Sequence, residues 1–136
     1  MASPTEGRSA TVLVIDDQPF FTTMLSNALE QQGFRVLVAN SGPDGLTSAK
    51  KNVPDVILLD IEMPGMDGYV VCEHLRKDDA VKHIPVVILT ATNNPKLNEK
   101  AFKAGADIVT LKVLSTERLV NMIRLALGKG KVSPIA

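Results

Sequence analysis

The chain has 136 residues, which is enough for one ordinary domain built around a single hydrophobic core. It carries 15 basic and 15 acidic residues, so its bulk charge favours neither nucleic acid nor an anionic membrane as a partner. With 45% hydrophobic and 22% charged residues, the composition is that of a folded globular domain and argues against disorder. We therefore expect no direct nucleic-acid partner and no membrane partner.

The two ends of the chain differ in character from its middle. Residues 1–10 are polar and lack the apolar segment of a signal peptide, and residues 129–136 have the composition of a tail or a truncated linker. The single cysteine, Cys72, excludes an internal disulfide and fits a reducing compartment. We expect a flexible segment over 1–10, one domain over 11–128 and a cytoplasmic location.

Five short apolar runs alternate with amphipathic stretches along the chain. The runs are Val12–Ile15, Val36–Ala39, Val56–Leu59, Val86–Leu89 and Ile108–Leu111. Runs this short and continuously apolar are typical of strands buried on both faces of a parallel sheet. Their strict alternation with helices requires right-handed crossovers, so we predict an α/β fold whose parallel sheet is covered on both faces.

The stretches between the runs carry helix start and stop signals. In chain order these are Pro19 and Gly33 around the first helix, Ser41 before a second helix from about Pro43 to Lys51, a third helix from about Tyr69 to Lys77, Asn94, Pro95 and Gly105 around the fourth, and Ser115 before the fifth. On the fourth helix, we expect Leu97, Ala101 and Phe102 to face the core.

Polar side chains follow four of the five apolar runs. Asp16 and Asp17 follow the first, Asp60 the third, Thr90 the fourth and Lys112 the fifth. Because parallel strands end at the same side of a sheet, we expect these five side chains to converge there. Carboxylates gathered in this way repel one another unless a cation lies among them, and an all-oxygen ligand set suits Mg²⁺.

This set matches the needs of phosphoryl transfer to a carboxylate. Asp60 would be the nucleophile, and Mg²⁺ would be held by Asp17 and Asp60, with Asp16 acting through water. Lys112 and the Thr90 hydroxyl would bind the phosphoryl oxygens. Such reactions depend mainly on positioning and electrostatic stabilisation.

From about Thr11 to Leu127, the chain resembles a receiver domain of two-component response regulators, similar to the chemotaxis regulators. The matching motifs are Asp16-Asp17, Asp60-x-x-Met63-Pro64-Gly65-Met66-Asp67-Gly68, Thr90-Ala91 and Ala104-Gly105-Ala106 before Lys112. The resemblance implies a doubly wound, flavodoxin-like (βα)5 fold of three layers, with strand order 2-1-3-4-5. It also implies that Asp60 accepts phosphate from a histidine kinase or a histidine phosphotransfer protein.

The same resemblance implies a metal contact from the backbone carbonyl of Glu62 and an output partner or a fused effector domain, with a homodimer possible. Two positions depart from the family pattern: Val109 stands where an aromatic residue is usual, and Val113 where a proline is usual. We expect a trans peptide bond before Val113, because a cis bond to a non-proline residue costs about 2.5–4 kcal/mol. Phe20, Val113 and Leu114 could form a small apolar patch that docks the phosphodonor.

Two alternatives remain open from the sequence. The first is a degenerate receiver that binds partners without being phosphorylated. Val109 and Val113 favour this alternative, whereas the intact Asp60, Thr90 and Lys112 argue against it. The second is a Mg²⁺-dependent phosphohydrolase working through an aspartyl-phosphate. It is disfavoured because Asp16-Asp17-Gln18-Pro19 places no nucleophile and general acid two residues apart.

Overall fold

Five strands alternate with five helices in the computed structural model of the chain, which describes residues 9–112 and 115–128. The strands are β1 (Thr11–Ile15), β2 (Arg35–Ala39), β3 (Val56–Asp60), β4 (Val86–Thr90) and β5 (Ile108–Leu111). The helices are α1 (Pro19–Gln31), α2 (Gly42–Asn52), α3 (Gly68–Lys77), α4 (Pro95–Ala104) and α5 (Thr116–Leu127). All strand pairs are parallel, and the order is β2-β1-β3-β4-β5, which confirms the predicted doubly wound fold.

The inner apolar strands are buried on both faces, because successive side chains point to opposite sides of a sheet that helices cover on both sides. The predicted burial of the run Val36–Ala39 is wrong in part, because β2 lies at the edge of the sheet and 42% of the Val38 surface is exposed. In β1, Leu13 and Ile15 pack on the side of α2, α3 and α4, whereas Val12 and Val14 pack on the side of α1 and α5. Every residue of β3 and β4 is buried. The result is a three-layer molecule in which helices cover both faces of the central sheet.

The predicted helix caps are present. The side chain of Ser41 accepts a hydrogen bond from the Asp44 N–H at 3.2 Å, and Ser115 accepts one from the Arg118 N–H at 3.2 Å. Asn94 caps α4, and Gly105 ends that helix with a left-handed φ of 113°, a conformation that glycine adopts without strain. These caps fix where α2, α4 and α5 begin and where α4 ends.

One predicted core contact is wrong. Leu97 was expected to face the core, but 39% of its surface is exposed, while Asn98 is buried at 8%. The buried side of α4 runs through Asn98, Ala101 and Ala104. The Asn98 side-chain amide nitrogen donates to the Asn93 side-chain oxygen at 3.0 Å, whereas its own buried oxygen has no hydrogen-bond partner among the described residues. Apolar patterning does not detect a polar residue held in this way.

A single arginine ties together the segments at the amino end of β4 and β5. Arg76, near the end of α3, donates to the carbonyl oxygens of Gly105 at 2.8 Å, Lys82 at 2.9 Å and Ile84 at 2.7 Å. It also pairs with Asp107 at 2.7 Å. This network anchors the two strands that deliver Thr90 and Lys112 at their other ends.

Within the described ranges, no helix has the length and apolar character needed to cross a bilayer.

Candidate functional site

Four strands deliver polar side chains to one side of the molecule, the carboxyl end of the sheet. Asp60 and Thr90 are the last residues of β3 and β4, and Asp16 and Lys112 directly follow β1 and β5. Asp16, Asp60 and Thr90 are buried, with 1%, 6% and 6% of their surfaces exposed. Burial of three polar groups at a strand end needs a specific reason, because unpaired polar groups are costly in a protein interior.

The three aspartates form one cluster. One carboxylate oxygen each from Asp16, Asp17 and Asp60 lies within 4.8 Å of the other two. The Asp16 carboxylate accepts a hydrogen bond from the Gln18 N–H at 2.9 Å, and the Asp16 carbonyl accepts one from the Asn40 amide at 3.1 Å. These bonds hold the turn after β1 so that both of its carboxylates face Asp60.

Lys112 brings a positive charge to this cluster. Its ammonium nitrogen lies 2.7 Å from Asp16 Oδ2 and 3.4 Å from Asp60 Oδ1, and it donates to Gln18 Oε1 at 3.2 Å. Burial by itself lowers the pKa of Lys112, but the hydrogen bond to Asp16 and the two carboxylates outweigh that effect and raise it. Lys112 therefore stays protonated and links β5 to the ends of β1 and β3.

The environment also changes the acidity of Asp60. Burial, followed by the negative charge of Asp16, raises the pKa of Asp60 from 3.8 to about 6, with Lys112 acting in the opposite direction. Since three carboxylates face one ammonium group, the cluster keeps excess negative charge. A group of hard oxygen ligands with excess negative charge is what Mg²⁺ binds in proteins.

Thr90 reaches the same end of the sheet but is bonded elsewhere. Its hydroxyl donates to the Thr92 carbonyl at 3.0 Å and accepts from the Thr92 N–H at 3.3 Å. The Lys112 N–H donates to the Thr90 carbonyl at 2.7 Å, so the two residues are neighbours through their backbones. The predicted contact of the Thr90 hydroxyl with a phosphoryl group would therefore require this local turn to change.

The segment after Asp60 is shaped by glycine and by a helix cap. Gly65 adopts a left-handed φ of 78°, and Asp67 accepts a hydrogen bond from the Val70 N–H at 3.0 Å, so it caps α3. A Cβ atom at Gly68 would collide with the backbone carbonyl oxygen of Asp60. The start of α3 is thus held directly against the backbone of Asp60. Glu62 is exposed in this segment, and its carbonyl as a metal ligand stays a prediction.

The prediction from sequence missed two neighbours of Lys112, one at the N-cap of α1 and one in its first turn. Gln18 accepts its hydrogen bond, and the ring of Phe21 lies beneath its ammonium group. The position of α1 could have indicated these neighbours, because the helix begins two residues after Asp17 and its first turn must border the same end of the sheet. Phe20, next to Phe21, is 84% exposed.

The two departures from the family pattern have different outcomes. Val109 is fully buried in the core on the side of α2, α3 and α4. Val113 and Leu114 lie outside the described residues, and so do the predicted trans peptide bond before Val113 and the proposed patch of these two residues with Phe20.

Comparison with known proteins agrees with this geometry. The family model of the response regulator receiver domain matches residues 12–124. The chain is 36% identical over 116 residues to the response regulator PleD of Caulobacter vibrioides, covering 85% of this chain and 26% of that protein. It is 35% identical over 119 residues to the protein PilH of Pseudomonas aeruginosa, covering 88% of this chain and 98% of that one.

Solved structures with a similar fold agree with these sequence matches. The chemotaxis protein CheY4 of Vibrio cholerae superposes with a TM-score of 0.83 at 29% identity, over 87% of this chain and 98% of that chain. The BeF3-activated N-terminal receiver domain of Klebsiella pneumoniae RstA superposes with a TM-score of 0.81 at 27% identity, over 88% of this chain and 99% of that chain. The chain spans about a quarter of the length of PleD and nearly all of PilH. By sequence and by fold, this chain belongs to the family of response regulator receiver domains.

Proposed function

We propose that this receiver domain is a phosphoacceptor switch of a two-component phosphorelay, with Asp60 as the residue that receives the phosphoryl group. The observation that carries the proposal is the convergence of three carboxylates within 4.8 Å, with the Lys112 ammonium between Asp16 and Asp60. A solvated surface charge would not need such burial or such a partner. The donor would be a phosphohistidine on a histidine kinase or a histidine phosphotransfer protein.

The chemistry of the transfer follows from the side chains. A carboxylate oxygen of Asp60 attacks phosphorus, and the bond from phosphorus to the imidazole nitrogen of the donor breaks. The electron pair of that bond stays on the nitrogen, which takes up a proton when it leaves. Asp60, with its pKa raised to about 6, is mostly ionised at neutral pH and is therefore available as the nucleophile. Lys112 would stabilise the phosphoryl oxygens.

The cluster of carboxylates fits a divalent cation. Asp17 and Asp60 would bind Mg²⁺ directly, Asp16 would act through water, and the Glu62 backbone carbonyl would add a further oxygen. The fit rests on the donor set, because three carboxylates gathered against one ammonium keep excess negative charge. When bound, the cation supplies neutralising charge for the phosphoryl group.

The switch would act through the loop after β4. A phosphoryl group on Asp60 adds about −1.5 to −2 charges, which attract hydroxyl and ammonium donors. For Thr90 to turn toward it, its hydrogen bonds to Thr92 must break, and the loop that leads to α4 must move. Because Val109 cannot rotate as an aromatic ring does, we place the signal in this loop rather than in the side chain at position 109.

The output would be read on the face formed by α4, β5 and α5, where Lys96, Lys100 and Lys103 are exposed. Phosphorylation needs only about 1–3 kcal/mol of differential binding there to change partner affinity 5- to 150-fold. Response regulators in general work with histidine kinases and output domains. We propose a cytoplasmic location and an output that is either a separate partner, including a second copy of the chain, or a fused effector domain.

The proposal is tested by incubating the protein with acetyl phosphate and Mg²⁺ and measuring its intact mass. We expect an adduct of one phosphoryl group that is absent in Asp60→Asn and absent when the metal is chelated. If the wild-type protein gives no adduct, the domain acts without phosphorylation as an interaction module. Continuous multiple turnover of a small phosphoester would instead identify a phosphohydrolase.

A further inference from the structure

The ammonium group of Lys112 lies over an aromatic ring in addition to its carboxylate partners. Its nitrogen is 4.4 Å from the centroid of Phe21, which is within the range of a cation–π contact. Phe21 belongs to the first turn of α1 and is partly buried against the core on the side of α1 and α5. The ring is therefore held by the fold and presents a fixed surface to the ammonium group.

The contact is in a place where a cation–π interaction is strong. Only 15% of the Lys112 side chain is exposed, so little water competes with the ring for the ammonium group. The negatively polarised face of an aromatic ring attracts a cation most when both are partly withdrawn from solvent. A leucine could fill similar space but could not attract the charge.

The ring differs from the two carboxylate partners of Lys112 in what happens to it during phosphorylation. Asp60 loses its free carboxylate when it is phosphorylated, and Asp16 is one of the carboxylates that would turn toward a metal. The Phe21 ring takes part in neither event. It can therefore keep the ammonium group at the carboxyl end of the sheet before and after transfer.

We propose that Phe21 is a positioning residue that holds Lys112 beside the phosphorylation site through a cation–π contact. The inference deepens the proposed role of Asp60 and rests on it. In Phe21→Leu, the Lys112 side chain gains freedom to leave the site, so the phosphoryl group loses part of its binding partner. In Phe21→Tyr, the ring face is kept and the effect is small.

The contact itself is tested by NMR on the metal-free protein, without any phosphorylation. The ring current of Phe21 shifts the ε-methylene protons of Lys112 upfield, and the signal is assigned by its loss in Lys112→Met. We expect this shift to be kept in Phe21→Tyr and lost in Phe21→Leu. Ordinary lysine shifts in the wild-type protein would overturn the inference.

The consequence is tested by titrating BeF3⁻, a phosphoryl mimic, in the presence of Mg²⁺. We expect Phe21→Leu to raise the half-saturating concentration about 3- to 10-fold, and Phe21→Tyr to raise it less than about 2-fold. In a Lys112→Met background, Phe21→Leu should have no further effect, because its role passes through Lys112. Met24→Leu, a change at an exposed position of the same helix, serves as the matched control and should bind as the wild type does.

The two proposals fail in different ways. Equal losses from Phe21→Leu with and without Lys112 would mean a general structural role and would overturn the inference. If the wild-type protein neither binds BeF3⁻ nor accepts phosphate, the proposed function falls together with any role of Phe21 in it. The NMR measurement still decides whether Phe21 holds Lys112.

Discussion

Replacing Asp60 by asparagine should stabilise the metal-free protein at neutral pH, although it removes the phosphoacceptor. Asp60 is buried beside Asp16, and these two causes, in this order, raise its pKa from 3.8 to about 6. The unfolded chain ionises this carboxyl near pH 4, and the folded protein does so only near pH 6. Between these values the folded state holds the extra proton, so its stability falls as the pH rises and stays reduced above pH 6.

The magnitude follows from the same shift. A rise from 3.8 to about 6 corresponds to about 3 kcal/mol of lost stability at neutral pH. Solvent reaches part of the cluster and screens the charges, so we expect a gain of about 1–2 kcal/mol in Asp60→Asn. Lys112 keeps its 2.7 Å ion pair with Asp16 in this variant, which limits the loss from the missing carboxylate. For a domain of this size, the gain raises the Tm by about 3–8 °C.

The assay is thermal and urea unfolding of both proteins with a metal chelator, at pH 7.5 and near pH 4. The difference in the free energy of unfolding should be present at pH 7.5 and nearly vanish near pH 4, where Asp60 is neutral in the folded protein. Asp79→Asn is the matched control, because its side chain is 93% exposed and its loss should change stability by less than about 0.5 kcal/mol. An Asp60→Asn variant that is less stable than the wild type at pH 7.5 would refute the electrostatic reasoning.

Three further predictions address the metal, the arginine network and the junction between α3 and α4. Saturating Mg²⁺ should raise the wild-type free energy of unfolding by about 1–3 kcal/mol, and Asp17→Asn should abolish most of this gain in a thermal shift assay. Arg76→Ala should cost about 2–4 kcal/mol in urea unfolding, because it removes the cationic partner of Asp107 and the guanidinium donor of three carbonyls. Arg76→Lys should not restore stability, because lysine lacks the guanidinium fork. Tyr69→Phe removes a 3.4 Å hydrogen bond to the Leu97 carbonyl and should speed amide hydrogen exchange in α4 about 2- to 5-fold, whereas unchanged exchange would mean that this bond does not hold the helix.

Most of the fold could be predicted from local patterns. Continuously apolar runs and helix caps such as Ser41 and Asn94 depend on short-range chemistry, and the structure confirms them. The burial of Asn98 in place of Leu97 could not be predicted in this way. It depends on a side-chain hydrogen bond to Asn93, and that bond exists only once the loop before α4 has its final shape.

The same distinction applies to the site, because some of its contacts could be predicted from local sequence rules and others could not. The convergence of Asp16, Asp60 and Lys112 follows from parallel strand ends, a rule that sequence alone supplies. The hydroxyl of Thr90 is bonded to Thr92, and the ring of Phe21 lies under Lys112, and neither contact follows from strand topology. Both depend on the direction in which a side chain leaves its backbone.

The most direct test of the central claim is to trap the phosphorylated residue chemically. After incubation with acetyl phosphate and Mg²⁺, borohydride reduces an aspartyl-phosphate to homoserine, and peptide mass mapping locates the change. We expect homoserine at position 60 and at no other aspartate. Homoserine at Asp16 or Asp17, or its absence from the whole chain, would contradict the assignment of Asp60 as the phosphoacceptor.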